Sequence, residues 1–238
     1  LCLSRGLGDV YKRQASEVVI PLFGVLDITG EVLLMWAICL VLVVVSAVAT
    51  RRLRERPGRL QNVLETGIEY LDGFFTGLLG KRAARKYFYF LGSLFIFIIF
   101  SNYSGLIPGV GLTPYFKAPT SSLSVTVGLG LLAFVFLQLA SLRARGGRGY
   151  LKRFITPVAF MLPLLVLDEF IKPASLALRL FGNIFGEETV TEELYNLLPI
   201  GAPALMMALS LLFCAIQAVV FTMLVSIYLD EGIEIEEA

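Results

Sequence analysis

Leu167-Asp168-Glu169-Phe170-Ile171-Lys172-Pro173-Ala174-Ser175-Leu176-Ala177-Leu178-Arg179-Leu180-Phe181-Gly182-Asn183-Ile184-Phe185-Gly186-Glu187 sets polar side chains at three- and four-residue steps within a largely apolar run that extends from Phe154 to Phe185. On a helix, Asp168, Lys172, Ser175, Arg179, Asn183 and Glu187 form one stripe. At about 1.5 Å per residue, that stripe crosses most of a ~30 Å hydrocarbon core. A guanidinium at mid-bilayer costs roughly 2.5–3.5 kcal/mol on insertion scales, so Arg179 has a task or a partner. The pattern fits an ion path through a membrane. It also fits a structural ion pair, in which Lys172 or Arg179 ties two helices together through Asp168 or Glu169.

Outward from this stretch, composition agrees with a membrane setting. The 238-residue chain is 57% hydrophobic and 16% charged, against about 25% charged in soluble domains, and its mean hydropathy is +0.79. Net charge is close to zero, and nothing in its distribution points to a nucleic-acid partner. Histidine is absent, which removes imidazole as proton carrier, pH sensor or metal ligand. Cys2, Cys39 and Cys214 have neither metal-ligand spacing nor a disulfide framework. Phosphate-binding loops, zinc spacings and a Ser-His-Asp triad are likewise missing from the sequence. No cofactor or metal is expected.

Residues 1–14 are basic and glycine-containing, without periodicity or the order of a signal peptide, and are expected to be a non-native or disordered leader. The remainder, 15–238, is expected to be a single all-α transmembrane domain with five membrane-embedded helices, about 32–50, 88–107, 121–142, 154–186 and 203–229. The last two are long enough to require tilt. The first apolar segment stops at Arg51, Arg52, Arg54 and Arg56, so that end is cytoplasmic by the positive-inside rule. From Pro57 to Gly80, Leu60, Val63, Leu64, Ile68, Leu71, Phe74, Phe75 and Leu78 line one helical face and Gln61, Asn62, Glu65, Glu69 and Asp72 the other. This reads as an amphipathic helix lying on the cytoplasmic interface, or as a contact for a soluble partner.

Lys81, Arg82, Arg85 and Lys86 keep the next turn cytoplasmic, and Arg143, Arg145, Arg148, Lys152 and Arg153 do the same after the third segment. Ser124, Gly128 and Gly130 are small enough to admit close helix packing. Pro157, Pro163 and Pro173 are expected to bend the fourth segment. The acidic tail, Asp230 to Glu237, ends inside, and the N-terminus lies outside. No internal repeat is evident, which weakens a self-contained cation-coupled secondary transporter as the alternative reading.

Leu178-Arg179-Leu180-Phe181-Gly182-Asn183-Ile184-Phe185-Gly186-Glu187-Glu188 closely resembles the arginine motif of subunit a of F-type ATP synthases. Asn102 to Pro108 (NYSGLIP), Pro57 to Glu69 (PGRLQNVLETGIE) and Ile216 to Tyr228 (IQAVVFTMLVSIY) are similar to further stretches of that subunit, in the same order. The resemblance runs from about Asp27 to Gly232. It implies a membrane stator that is not catalytic alone but couples ion flow to ATP synthesis. Its partners would be a ring of subunit c, the peripheral stalk subunit b, the other synthase subunits and the lipid bilayer, with a bacterial plasma membrane as the setting and the C-terminus cytoplasmic. Arg179 is then the essential arginine facing the ring carboxylates. Asn183, Glu188 and Gln217 match positions on or near an outer half-channel, and Ser175 one on the inner side. Asn183 and Gln217 equally fit hydrogen bonds between helices.

The sequence departs from the family pattern in two ways. Ser210 stands where some members carry a histidine, which leaves water or Glu188 a larger share of proton transfer. Helical phase puts Glu187 on the face of Arg179, whereas the resemblance points to Glu188; a helix ending or distorting at Gly186 would let either reach the channel.

Overall fold

The computed structural model describes residues 18–22, 26–51, 58–106, 118–155, 162–197 and 201–233. Expectations about the leader, the arginines beyond Arg51, Pro157 and the tail beyond Ile233 lie outside these residues. The fold is helical with one exception. Strands β1 (Val18–Leu22) and β2 (Leu26–Thr29) pair antiparallel, with Val18 opposite Thr29 and Leu22 opposite Leu26. This short hairpin was not expected, but it stands ahead of an otherwise all-helical fold and leaves the all-α class in place. Val18, Val19, Ile20 and Ile28 are β-branched residues suited to a pleated ribbon, in a segment too short for a membrane-crossing helix.

Helix α1 (Gly30–Thr50) follows at once. It is apolar all round, and Trp36, Leu40, Val43 and Val48 are all more than half exposed in the isolated chain. Such a helix suits lipid or another subunit, not water. Helix α2 (Arg59–Ser104) joins two segments expected to be separate, the interfacial helix and the second span. The join is a kink at Gly80, whose φ of 73° and ψ of 158° lie in a region that glycine adopts readily. No neighbour lies within 4 Å of a Cβ built there, so conformation and not space demands the glycine. Beyond the kink, Tyr87, Leu91, Leu94 and Ile98 repeat at helical spacing and form the buried seam of α2.

Helix α3 (Leu123–Ile155) is entered by a 3-10 turn, Pro119–Ser121, and bends at Gly146 (φ 71°). It therefore runs past the expected end at Leu142 and takes in Phe154 and Ile155, which the sequence reading gave to the next span. Helix α4 (Leu162–Leu197) starts later than expected and continues unbroken through Gly186. Pro163 stands in its first turn, where a missing N–H costs nothing; only Pro173 is interior. Helix α5 (Ala202–Ile233) completes the chain.

Helix α2 packs with α3, α4 and α5 around one core, in which Phe75, ahead of the kink, and Leu91, Ile98, Leu176, Leu180, Phe221 and Val225 are fully buried. Among the described residues, four helical stretches are long and apolar enough to cross a membrane: Gly30–Thr50, Gln61–Ser104, Leu123–Gly147 and Leu205–Ile233. The fifth expected span, in α4, is not among them. Asp168, Glu169, Lys172 and Arg179 interrupt its apolar run.

Candidate functional site

Because α4 is continuous, the polar stripe keeps its phase from Asp168 to Glu187. It runs along the edge where α4 meets the antiparallel α5, and side chains tie the two helices at three levels. At one end the Ser210 hydroxyl lies within hydrogen-bonding reach of the Glu187 carboxylate. Asn183 Nδ2 donates to Gln217 Oε1 at 2.6 Å. At the other end Lys172 Nζ meets both carboxylate oxygens of Glu231 at 2.9 and 3.0 Å, and Asp168 of its own helix at 3.3 Å. Between these ties the interface is apolar, with Leu176, Leu180, Phe221 and Val225 buried.

Arg179 is different. It lies on the exposed side of α4, beside Leu178, which is 61% exposed. Among the described residues it has no ion-pair partner. Exposed apolar side chains stand on both helices of this pair, Ile171 and Leu178 on α4 and Ile216 and Met223 on α5. Ser175, one turn away toward Lys172, is half-buried. Glu188 is half-buried too, about 100° around the helix from Glu187. The helix runs on through Gly186, so of the two possibilities the sequence left open, simple helical phase holds there.

A second group of polar residues collects at the Glu187 end, and the sequence reading did not assign it a role. Asn102, at the end of α2, is 2% exposed, and its Nδ2 reaches toward the Cys214 carbonyl at 3.4 Å. Tyr103 Oη donates to the Leu211 carbonyl at 3.3 Å. Tyr103 also packs on a small cluster of Ala118, Ile184 and Cys214, which brings the turn before α3 together with α4 and α5. Ser101 Oγ, Asn102 Oδ1, Thr120 Oγ1, Glu187 Oε2 and Gln217 Nε2 are all buried without a hydrogen-bond partner among the described residues. A buried polar atom left unpaired costs about 1–3 kcal/mol, and such groups are the usual seats of bound water. A polar pathway therefore suits this end of the molecule better than a dry core. Asn102 closing a phenylalanine-rich helix was the available signal for it.

Among the described residues, no three acidic, cysteine or histidine side chains gather as a metal site would require.

An exposed, unpaired arginine on an apolar helix pair, backed by a cross-helix amide pair, stands beside direct similarity. Residues 32–230 match the family described as ATP synthase A chain. The chain belongs to that family. One relative, ATP synthase subunit a of Moorella thermoacetica, is 38% identical over 206 residues, covering 87% of this chain and 91% of the relative. Membership makes the chain an integral membrane component of an ATP synthase complex, concerned with ion transport in ATP synthesis. The arginine stripe and the polar Glu187 end both fall inside the matched region.

Proposed function

We propose that this chain is the proton-conducting stator of a rotary F-type ATP synthase, with Arg179 facing the carboxylates of a subunit c ring. The observation that carries the reading is Arg179 itself, exposed on a largely apolar helix and without an ion-pair partner among the described residues. In a bilayer that position is costly until an anion from another subunit reaches it. An opposite charge within ~4–6 Å favours the ionised form of a carboxylate, so a ring site arriving protonated is driven to release its proton. Arginine keeps its charge when desolvated and presents a fixed fork of donors, whereas a desolvated lysine can lose its proton.

Two half-channels complete the mechanism. The outer one enters through the polar group around Glu187, Glu188, Ser210, Asn102 and Gln217 and reaches Asn183. The inner one leaves past Ser175 toward Lys172. Arg179 divides them, and its permanent charge opposes a direct leak, so that a proton crosses only by riding on the ring. One proton moving through 100 mV gains roughly 2.3 kcal/mol, which is why several must be collected for each ATP. In this reading α4 is the fifth embedded helix, its charges turned to the ring and the channels, and residues 59–79 lie on the cytoplasmic surface. The exposed α1 meets lipid and the peripheral stalk subunit b. The setting is a bacterial plasma membrane with the C-terminus cytoplasmic.

Replacing Arg179 tests the reading. In membrane vesicles carrying the assembled complex, Arg179→Ala should abolish acid-driven ATP synthesis while the subunit remains in the membrane, and Arg179→Lys should fail as well. Near-normal synthesis by Arg179→Ala would refute the mechanism.

A further inference from the structure

Lys172 takes part in more interactions than an ion pair needs. Its side chain is only 11% exposed although it carries the charge of the stripe's inner end. It bridges Asp168 and Glu231, and its ammonium sits 5.3 Å from the centre of the Tyr228 ring. A second cation works on the same end of α5 from the other side. Arg145 of α3 donates from Nε to the Gly232 carbonyl at 2.8 Å and from Nη2 to the Glu231 carbonyl at 3.0 Å, and Ser141 Oγ donates to the Gly232 carbonyl at 2.8 Å. These are among the last carbonyls of a helix that ends at Ile233, which have no partner within the helix and lie at the negative end of its dipole.

The place of this clamp gives it a function. Asn183 and Gln217 pin α4 to α5 four residues to one side of Arg179, and Lys172 and Glu231 pin them seven residues to the other. Those separations are about 6 and 10 Å along the helix. The contact between the pins is apolar, and apolar contact is non-directional, so it tolerates sliding and rolling. Within lipid no hydrophobic drive holds two helices in register, and directional polar bonds do that work. A ring carboxylate dragged past Arg179 pushes the guanidinium sideways on each step. With only one pin, α4 would turn with the load.

We infer that Lys172 is a positioning residue for ion transfer: it fastens the inner end of the last helix to the arginine helix, while Arg145 holds that same end to α3, and so it fixes the angle at which Arg179 meets its partner. The role rests on the stator reading above. Isolated exposed ion pairs contribute little, but here Lys172 is only 11% exposed and the pair is half of a bracket whose other half rests on the buried Gln217.

The test uses the assembled complex in inverted membrane vesicles and reads protons pumped per ATP hydrolysed, alongside the amount of subunit in the membrane. Lys172→Met and Glu231→Gln should each lower that ratio about fivefold or more with subunit level maintained, while Lys172→Arg keeps most of it. The decisive variant carries Lys172→Cys with Glu231→Cys, in a background with Cys2, Cys39 and Cys214 replaced. It should pump poorly until a short bis-methanethiosulfonate joins the two thiols, and then recover at least half the normal ratio. If joining restores nothing, the charge of Lys172 matters and its position does not, which overturns the inference; normal pumping by Lys172→Met overturns it too. Should Lys172→Met fail to assemble, Glu231→Gln, which leaves Lys172 paired with Asp168, decides together with the joined variant. Arg179→Ala in the same vesicles separates the two claims. If it pumps normally the stator reading falls, and if it is inactive while Lys172→Met is normal only the positioning role falls.

Discussion

Glu187 and Glu188 sit side by side on α4, and only one of them is expected to hand protons on. Glu187 is held by Ser210, with its second oxygen buried, while Glu188 aligns with the channel carboxylate in the family resemblance. Glutamine at 187 keeps an oxygen able to accept from Ser210, so that substitution preserves the packing and removes only the titration. We therefore expect Glu188→Gln to slow proton pumping about a hundredfold or more, the lower end of the range for loss of a general acid-base group, and Glu187→Gln to slow it less. Pumping rates of the two single variants, compared at equal subunit level, check this. The reverse order assigns the channel to Glu187, whose phase on an unbroken helix matches that of Arg179. At this scale the residue types on α4 were legible because one helix fixes their spacing. Asn102 reaching Cys214 across 112 positions of sequence was not, because the register between helices leaves no period in the chain.

Close packing of α3 against α4 depends on one glycine out of two. A Cβ on Gly130 would stand 2.9 Å from the Pro173 carbonyl oxygen and 3.2 Å from Ala177 Cβ, whereas one on Gly128 meets nothing within 4 Å. Gly130→Ala should thus force the arginine helix outward and destabilise the protein by about 1–3 kcal/mol, the usual cost of overpacking. Gly128→Ala should be neutral or stabilise by about 0.5–1 kcal/mol through helix propensity. Thermal unfolding of the detergent-solubilised protein distinguishes them, and equal melting temperatures would show that the two helices part without cost. Sequence spacing had marked Ser124, Gly128 and Gly130 alike as small residues. Which of them touches a neighbour depends on the roll of α3 about its axis, and that is set by tertiary contact. Helix boundaries follow a related rule: at Gly80 and Gly146 the backbone leaves helical geometry, so each glycine separates two helical pieces, at Gly80 where the interfacial helix was expected to close and at Gly146 beyond the expected end of the third span.

Across the whole molecule, the membrane character and the order of the helices were open to sequence reasoning, since apolar length and loop charge follow from the bilayer itself. The direction in which Arg179 faces was not, because it depends on which sides of α4 and α5 the core covers. With Leu176, Leu180, Phe221 and Val225 turned inward, Arg179 is left on the outer surface with Asn183 on one side of it and Ser175 on the other. A stator with two half-channels requires those two neighbours to be wetted from opposite sides of the membrane. Single cysteines at Asn183 and Ser175, in a background with Cys2, Cys39 and Cys214 replaced, make this measurable. Silver ions or a small thiol reagent applied to sealed vesicles of either orientation should block proton transport through Asn183→Cys from the outer side and through Ser175→Cys from the inner side. Reaction of both from one side would mean a single vestibule and would leave Arg179 dividing nothing. Reaction of neither would make the stripe a dry helix contact, with the Asn183–Gln217 bond serving only to join α4 to α5.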